Sequence, residues 1–220
     1  EILGREERFH MKHAFWGPEY SDEQIRKVAE KSSFLVKKCK GHGELIDEAS
    51  TLLSKGLGVG WYQGRSEWGP RALGNRSILA DPSVKDMKNI INSKIKRRES
   101  FRPFAPSVLK EDVTTYFEQD VDSPFMMHVV KVKEKWQKRL PAITHVDGTG
   151  RLQTVDKESN SLYYELISKF RSKTGIGMLL NTSFNENEPV VDTPQQAYDC
   201  FNRTDMDALC LGNYILLKSR

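Results

Sequence analysis

The sequence has no long apolar run. None approaches the ~20 residues that a membrane-crossing helix needs, and the charged opening Glu1-Ile2-Leu3-Gly4-Arg5-Glu6-Glu7-Arg8 is unlike a secretory leader. Cysteine is scarce. Cys39, Cys200 and Cys210 stand far apart, which excludes the paired spacing of a zinc or redox centre and points to idle thiols in a reducing cytoplasm. Charge of one sign is in short supply too: a formal net charge of +4 over 220 residues is too mild for a dedicated nucleic-acid binder. Two phosphate signatures are missing. There is no Gly-x-x-x-x-Gly-Lys-Ser/Thr loop, and Gly56-Leu57-Gly58-Val59-Gly60 leads into strand-like residues, where a dinucleotide fingerprint would lead into a helix. Internal repeats and low-complexity segments are also absent.

What is present is a hydrophobic content of 38% and a charged content of 29%, a composition that supports a substantial core. The first residue is Glu, so a piece of a longer or processed protein is expected. Ser21 and Gln24 form a capping-box pattern at the head of a first helix. A second helix is expected over 44–55 with Gly56 as its stop, then a strand over 57–63. Apolar spacing predicts a helix from Ser83 to Lys96, a strand near Val108-Leu109, a short helix over 111–117 and a strand within 124–132. The charged stretch 131–139 reads as solvated surface. A helix over 159–170, a buried strand over 175–180, a helix opened by Thr193-Pro194 and Gln196, and a hairpin around Gly212-Asn213 complete the chain. Helices and strands intermix, so the fold class is α/β (α+β mixed) with a mixed sheet.

Three polar clusters interrupt this pattern. The first, 64–82, packs Arg65, Arg71 and Arg76 among glycines; guanidinium forks and close backbone N–H groups suit an anion. The second carries Lys96, Arg98 and Arg102 into the stiff run Ser100-Phe101-Arg102-Pro103-Phe104-Ala105-Pro106. The third is a pair of expected loops, 145–154 with His145 and Arg151, and 181–185 with Asn181, Ser183 and Asn185, the latter at the carboxyl end of a strand where α/β sheets usually bind ligands. Glu67 would pair with a neighbouring Arg, Asp147-Gly148 could be a plain turn, and His145 could be structural. If the clusters converge, they suit a multiply charged phosphorylated substrate, with catalysis by positioning and charge stabilisation.

Four motifs carry a family likeness. These are Gly64-Arg65-x-Glu67-x-Gly69-Pro70-Arg71-Ala72-Leu73-Gly74-Asn75-Arg76-Ser77-Ile78-Leu79; Lys96-x-Arg98-Glu99-x-Phe101-Arg102-Pro103-Phe104-Ala105-Pro106; His145-Val146-Asp147-Gly148-Thr149-x-Arg151-x-Gln153-Thr154-Val155; and Asn181-Thr182-Ser183-Phe184-Asn185. In this order they resemble the C-terminal domain of the NodU/CmcH-type O-carbamoyltransferases, with Ser66 and Gly150 as small departures. The resemblance implies a YrdC-like twisted mixed sheet flanked by helices over residues 57–220. It makes residues 1–56 a linker and the tail of a preceding catalytic domain. It implies a domain that forms carbamoyl-adenylate from carbamoyl phosphate and ATP, with Mg2+ held through ATP oxygens and no protein metal site. An actin-like, metal-binding N-terminal domain would then pass the carbamoyl group to a hydroxyl of a sugar or related metabolite.

By the same resemblance, Lys96, Arg98, Ser183 and Asn185 match a catalytic Lys-x-Arg and Ser-x-Asn tetrad. Arg71, Arg151 and Asn181 would join them in binding carbamoyl phosphate and ATP, with Arg65, Arg76, Arg102 and His145 as further candidates. Two other readings share the arginines. One is a non-catalytic module that senses a phosphorylated metabolite. The other is a nucleotide- or RNA-binding domain of the kind used in tRNA modification, which the lack of a basic-aromatic surface pattern disfavours.

Overall fold

The structure is a computed structural model, and it describes residues 10–218. The charged opening and the rest of 1–9 lie outside the described residues. Among the described residues nine strands form one sheet. They are β1 (Leu35–Lys38), β2 (Val59–Tyr62), β3 (Arg76–Ala80), β4 (Ala105–Leu109), β5 (His128–Lys131), β6 (Thr149–Val155), β7 (Met178–Ser183), β8 (Ala208–Leu211) and β9 (Tyr214–Leu217). Their order is β1-β9-β8-β2-β3-β7-β4-β6-β5. Only β2/β8 and β4/β6 run parallel, so the sheet is mixed, as expected.

The helices are α1 (Asp22–Glu30), α2 (His42–Ser54), α3 (Met87–Ile90), α4 (Val113–Tyr116), α5 (Glu134–Gln137), α6 (Ser161–Thr174) and α7 (Pro194–Arg203). The capping boxes of Ser21 with Gln24 and of Thr193 with Gln196 both form. The helix α6 buries Tyr163, Leu166, Ile167 and Phe170, and ends at left-handed Gly175. The hairpin β8–β9 turns at Gly212. The thiols of Cys39, Cys200 and Cys210 are free and buried.

Three local expectations change. The strand β1 pairs with β9 along its length, and α2 packs on α6, so residues 22–54 belong to the same sheet and core as the residues after 56. The helix expected from Ser83 starts only at Met87, because the Asp81 carboxylate accepts from Ser83 N at 2.8 Å and from Ser83 Oγ at 2.6 Å and holds a local turn. It then widens into a π-helical turn, Ile91–Ile95. The polar run expected as a loop at 145–154 is largely strand β6, and 181–183 complete β7. Their polar side chains find partners across the sheet, which allows a polar strand to be buried.

Candidate active site

The cavity of about 510 Å3 lies at the ends of inner strands of the sheet, and five segments reach it. They are the arginine loop before β3, residues 98–105 leading into β4, Met126 with Val129 of β5, His145 with the start of β6, and the end of β7. In the antiparallel register Ser77 faces Ser183 and Ala105 faces Asn181, so the amino ends of β3 and β4 meet the carboxyl end of β7. The expectation of a carboxyl-end site therefore holds for β7 alone.

Glu67 shapes the arginine loop. Its Oε1 accepts from Leu73 N at 2.7 Å, Asn75 N at 2.8 Å and Arg76 N at 3.3 Å. It holds backbone amides, not the neighbouring arginine the sequence suggested. Arg76 has no exposed surface. It donates to the carbonyls of Gln63, Gly64, Asn75 and Asp192 and stacks on Tyr62, its guanidinium 3.7 Å from the ring centroid. It is thus a structural arginine, and it does not line this cavity. Arg65 is half-exposed beside Glu19 and is also absent from the lining.

Arg71, Arg98, Arg102 and Arg151 line the cavity together, and no carboxylate shares the lining. The Nε atoms of Arg71 and Arg151 are buried without a partner. Burial first, and Arg71 second, pull Arg151 below its ordinary pKa. Arg98 is lowered by burial and then by Arg102, with Glu99 opposing and Arg151 adding to the fall. A guanidinium stays charged under such shifts. The lining is therefore a set of mutually repelling cations, and an anion relieves the repulsion. Arg102 is tempered by Glu99 at 3.0 Å.

Asn181 sits at the floor in a buried row. Its Nδ2 lies 3.1 Å from Ala72 O, 3.0 Å from Ser107 Oγ and 2.9 Å from Gln153 Oε1. Ser107 Oγ donates to Gln153 Oε1 at 2.6 Å, and Gln153 Nε2 to Leu73 O at 2.8 Å. This row fixes the amide of Asn181 and leaves its Oδ1 without a partner. His145 lines the cavity; burial lowers its pKa, with Asp147 opposing, and its Nδ1 lies 3.0 Å from Thr149 Oγ1. Asp147 Oδ1 accepts from Thr149 N, and Gly148 has a φ of 76°, so this pair forms the plain turn that the sequence allows.

Lys96 and Asn185 stand behind the lining. Lys96 Nζ is surrounded by Ser183 O at 2.5 Å, Asn185 Oδ1 at 2.6 Å, Asn185 O at 2.8 Å and Ser183 Oγ at 3.3 Å. The lysine therefore grips the exit of β7, while Ser183 itself reaches the cavity. Burial, and then Arg98, lower the Lys96 ammonium to about 7. Four oxygens around one nitrogen favour the charged form, which offers three donors.

The sequence did not mark Gln153, Ser107, Thr182 or Phe104 as site residues, yet Gln153 and Ser107 orient Asn181, and Thr182 and Phe104 line the cavity. Alternating polar residues on a strand were the available signal for Gln153. Arg98 gains its stacking support from Phe104, 5.0 Å from the ring centroid.

The nodulation protein NolNO of Sinorhizobium fredii is 45% identical over 218 residues, covering 96% of this chain and 32% of its own length. The 3'-hydroxymethylcephem-O-carbamoyltransferase of Amycolatopsis lactamdurans is 44% identical over 141 residues, covering 64% of this chain and 26% of its own length. The chain spans 32% of the length of NolNO and 39% of that of the Bradyrhizobium diazoefficiens protein NolO. Full-length HypF, solved in a phosphate- and nucleotide-bound form, superposes with a TM-score of 0.52 at 16% identity over 84% of this chain and 22% of that one, which identifies the fold as YrdC-like. The family model described as carbamoyltransferase C-terminus matches residues 50–218, and the chain belongs to that family.

Proposed function

We propose that this chain is the adenylate-forming domain of an O-carbamoyltransferase. It would join the carbamoyl group of carbamoyl phosphate to the α-phosphate of ATP. Atom balance requires one water: carbamoyl phosphate, ATP and water give carbamoyl-adenylate, pyrophosphate and inorganic phosphate. Water cleaves the acyl-phosphate anhydride of carbamoyl phosphate and releases inorganic phosphate, an oxygen of the carbamate so formed bonds to the α-phosphorus, and pyrophosphate departs with the electron pair of the α–β bridge.

The observation that carries this reading is the cavity lined by four arginines and no carboxylate, with the Nε atoms of Arg71 and Arg151 buried and unpartnered. Phosphoryl transfer of this kind needs positioning and charge neutralisation more than covalent help. Arg71, Arg98, Arg102 and Arg151 would hold phosphate oxygens. The unpartnered Asn181 Oδ1 would accept from the carbamoyl amino group, and Ser183 would donate to a carbamoyl or phosphate oxygen. Lys96 would hold Ser183 and Asn185 in place from behind. Mg2+ would arrive on ATP and stay on its phosphate oxygens. The phosphate- and nucleotide-bound form in which HypF was solved, and the carbamoyl transfer in the name of the cephem enzyme, support the same chemistry. An N-terminal domain of the longer protein would receive the adenylate and choose the hydroxyl acceptor, in keeping with relatives about three times as long.

The test is carbamoyl phosphate-dependent exchange of labelled pyrophosphate into ATP. Exchange that needs both substrates is expected. Binding of ATP without any exchange, in the full-length protein as well, would favour a sensing module instead.

A further inference from the structure

Asn92 is a polar side chain with no exposed surface, placed in the π-helical turn Ile91–Ile95. The two ends of its amide do different work. The Oδ1 accepts from Arg98 Nε at 2.7 Å. The Nδ2 reaches Arg102 O at 3.1 Å and Ser100 O at 3.4 Å. Its own carbonyl accepts from Arg98 N at 3.0 Å. One residue therefore ties both ends of the loop that carries Arg98 and Arg102. We propose that Asn92 is a positioning residue that presets the Arg98 guanidinium and the 98–102 backbone for a phosphate ligand. This inference rests on reading the cavity as a phosphate site.

The electrostatics give the tie its purpose. Burial and then Arg102 disfavour the charge on Arg98, with Glu99 opposing and Arg151 adding to the effect. An acceptor on Nε and the Phe104 ring, 5.0 Å away, hold the guanidinium in place among these charges. The acceptor engages Nε and leaves the two terminal nitrogens of the guanidinium to the anion.

The backbone is bent to allow it. Lys96 N bonds to Ile91 O, the wide closure of a π turn. In an ordinary α-helix residue 92 would point ~100° away from Ile91, off the buried side formed by Met87, Ile91 and Ile95. Asn92 lies in this widened turn and is fully buried. Arg97 then takes a left-handed φ of 43°, which costs an L-residue roughly 1 kcal/mol. Its guanidinium pairs with Glu186 at 3.1 Å. A widened turn and a left-handed arginine directly before Arg98 place local strain next to the cavity wall.

The experiment compares wild type, Asn92→Leu and Asn92→Asp in the full chain. Calorimetry reads the binding of inorganic pyrophosphate and of Mg2+-ATP, trypsin reads cleavage after Arg97 and Arg98, and thermal unfolding reads the fold. Asn92→Leu is expected to bind pyrophosphate about tenfold more weakly, the loss of one charge-assisted hydrogen bond, and to be cut about tenfold faster by the same free-energy measure. Asn92→Asp keeps an acceptor for Arg98 and loses the Nδ2 donors. It should bind within about threefold of wild type, far closer than Asn92→Leu, and still be cut faster. Wild-type affinity and wild-type cleavage in Asn92→Leu would overturn the proposal. If Asn92→Leu does not fold, Asn92→Asp decides: a tenfold loss of affinity at an unchanged melting temperature would overturn it. If wild type binds neither ligand, the functional reading falls. Cleavage then judges the tie alone: faster cutting of Asn92→Leu supports it, and equal rates overturn it.

Discussion

The Lys96 ammonium lies 2.6 Å from Asn185 Oδ1 and joins two segments 89 residues apart in the chain. The contact explains how the site is layered. The arginines face the cavity, and the lysine works from the rear on the strand end that presents Ser183. Lys96→Met removes this grip. It also removes the cost of burying a charge, and the two effects oppose each other. Stability should therefore change by no more than about 2 kcal/mol, while pyrophosphate exchange falls by roughly two orders of magnitude from loss of positioning. Denaturant unfolding and the exchange assay together check this. Full exchange in Lys96→Met would remove the lysine from the mechanism.

The same residue predicts a pH dependence with two opposite signs. Burial lowers its pKa to about 7, against ~10.4 in an unfolded chain. Between these values the unfolded chain binds the extra proton, so this group's contribution to stability rises with pH and levels off above the upper value. Below about 7 the folded state carries the buried charge in full. Ligand affinity moves the other way, because loss of the proton weakens the hold on Ser183 and Asn185 as pH passes 7. Unfolding free energy and ATP affinity measured from pH 6 to 9, each relative to Lys96→Met, should diverge. Parallel curves for wild type and Lys96→Met would show that Lys96 does not titrate in this range.

Much of this arrangement was legible in the sequence where local rules decide. Ser21 with Gln24 and Thr193 with Gln196 set helix starts through contacts three residues apart. The hairpin at Gly212 follows from turn chemistry in the same way. Of the candidate residues, Arg71, Arg98, Arg102, His145, Arg151, Asn181 and Ser183 do meet at one cavity. The direction in which a side chain points was not legible. Arg76 looks like its neighbours in a list of arginines, but it sits on a wholly buried strand and turns to carbonyls of Gln63 and Gly64. Asn92 gave no signal either, since it is a polar residue buried in a π turn, and 3.6-residue periodicity has no place for that turn. The inclusion of β1 in the sheet depends on pairing with β9, almost the whole chain away.

Gly74 and Gly69 separate space from backbone strain. Both have positive φ, 112° and 133°. A Cβ on Gly74 would lie 2.2 Å from Tyr163 Cδ1, a ring that is completely buried and has no room to move. A Cβ on Gly69 meets nothing within 4 Å. Gly74→Ala should destabilise by about 3 kcal/mol or more, and Gly69→Ala by about 1 kcal/mol. Chemical denaturation of the two variants tests this. Equal losses would mean that the contact with Tyr163 relaxes without difficulty.

Arg71 and Arg151 stand close enough for one to lower the pKa of the other, and each keeps a buried Nε without a partner. In the free protein they repel; around a phosphate they share it. Arg151→Met should therefore leave the free protein as stable as wild type or slightly more stable, because a buried cation and its repulsion disappear together. The same change should weaken pyrophosphate binding about ten- to hundredfold, since a guanidinium–phosphate contact is charge-assisted and partly desolvated. Salt sharpens the test. With one cation fewer, affinity should fall less steeply with ionic strength than in wild type. Thermal unfolding without ligand, and pyrophosphate titrations at two salt concentrations, read both sides. A loss of stability with unchanged affinity would make Arg151 a structural residue like Arg76, and the phosphate would then have to be held by Arg71, Arg98 and Arg102.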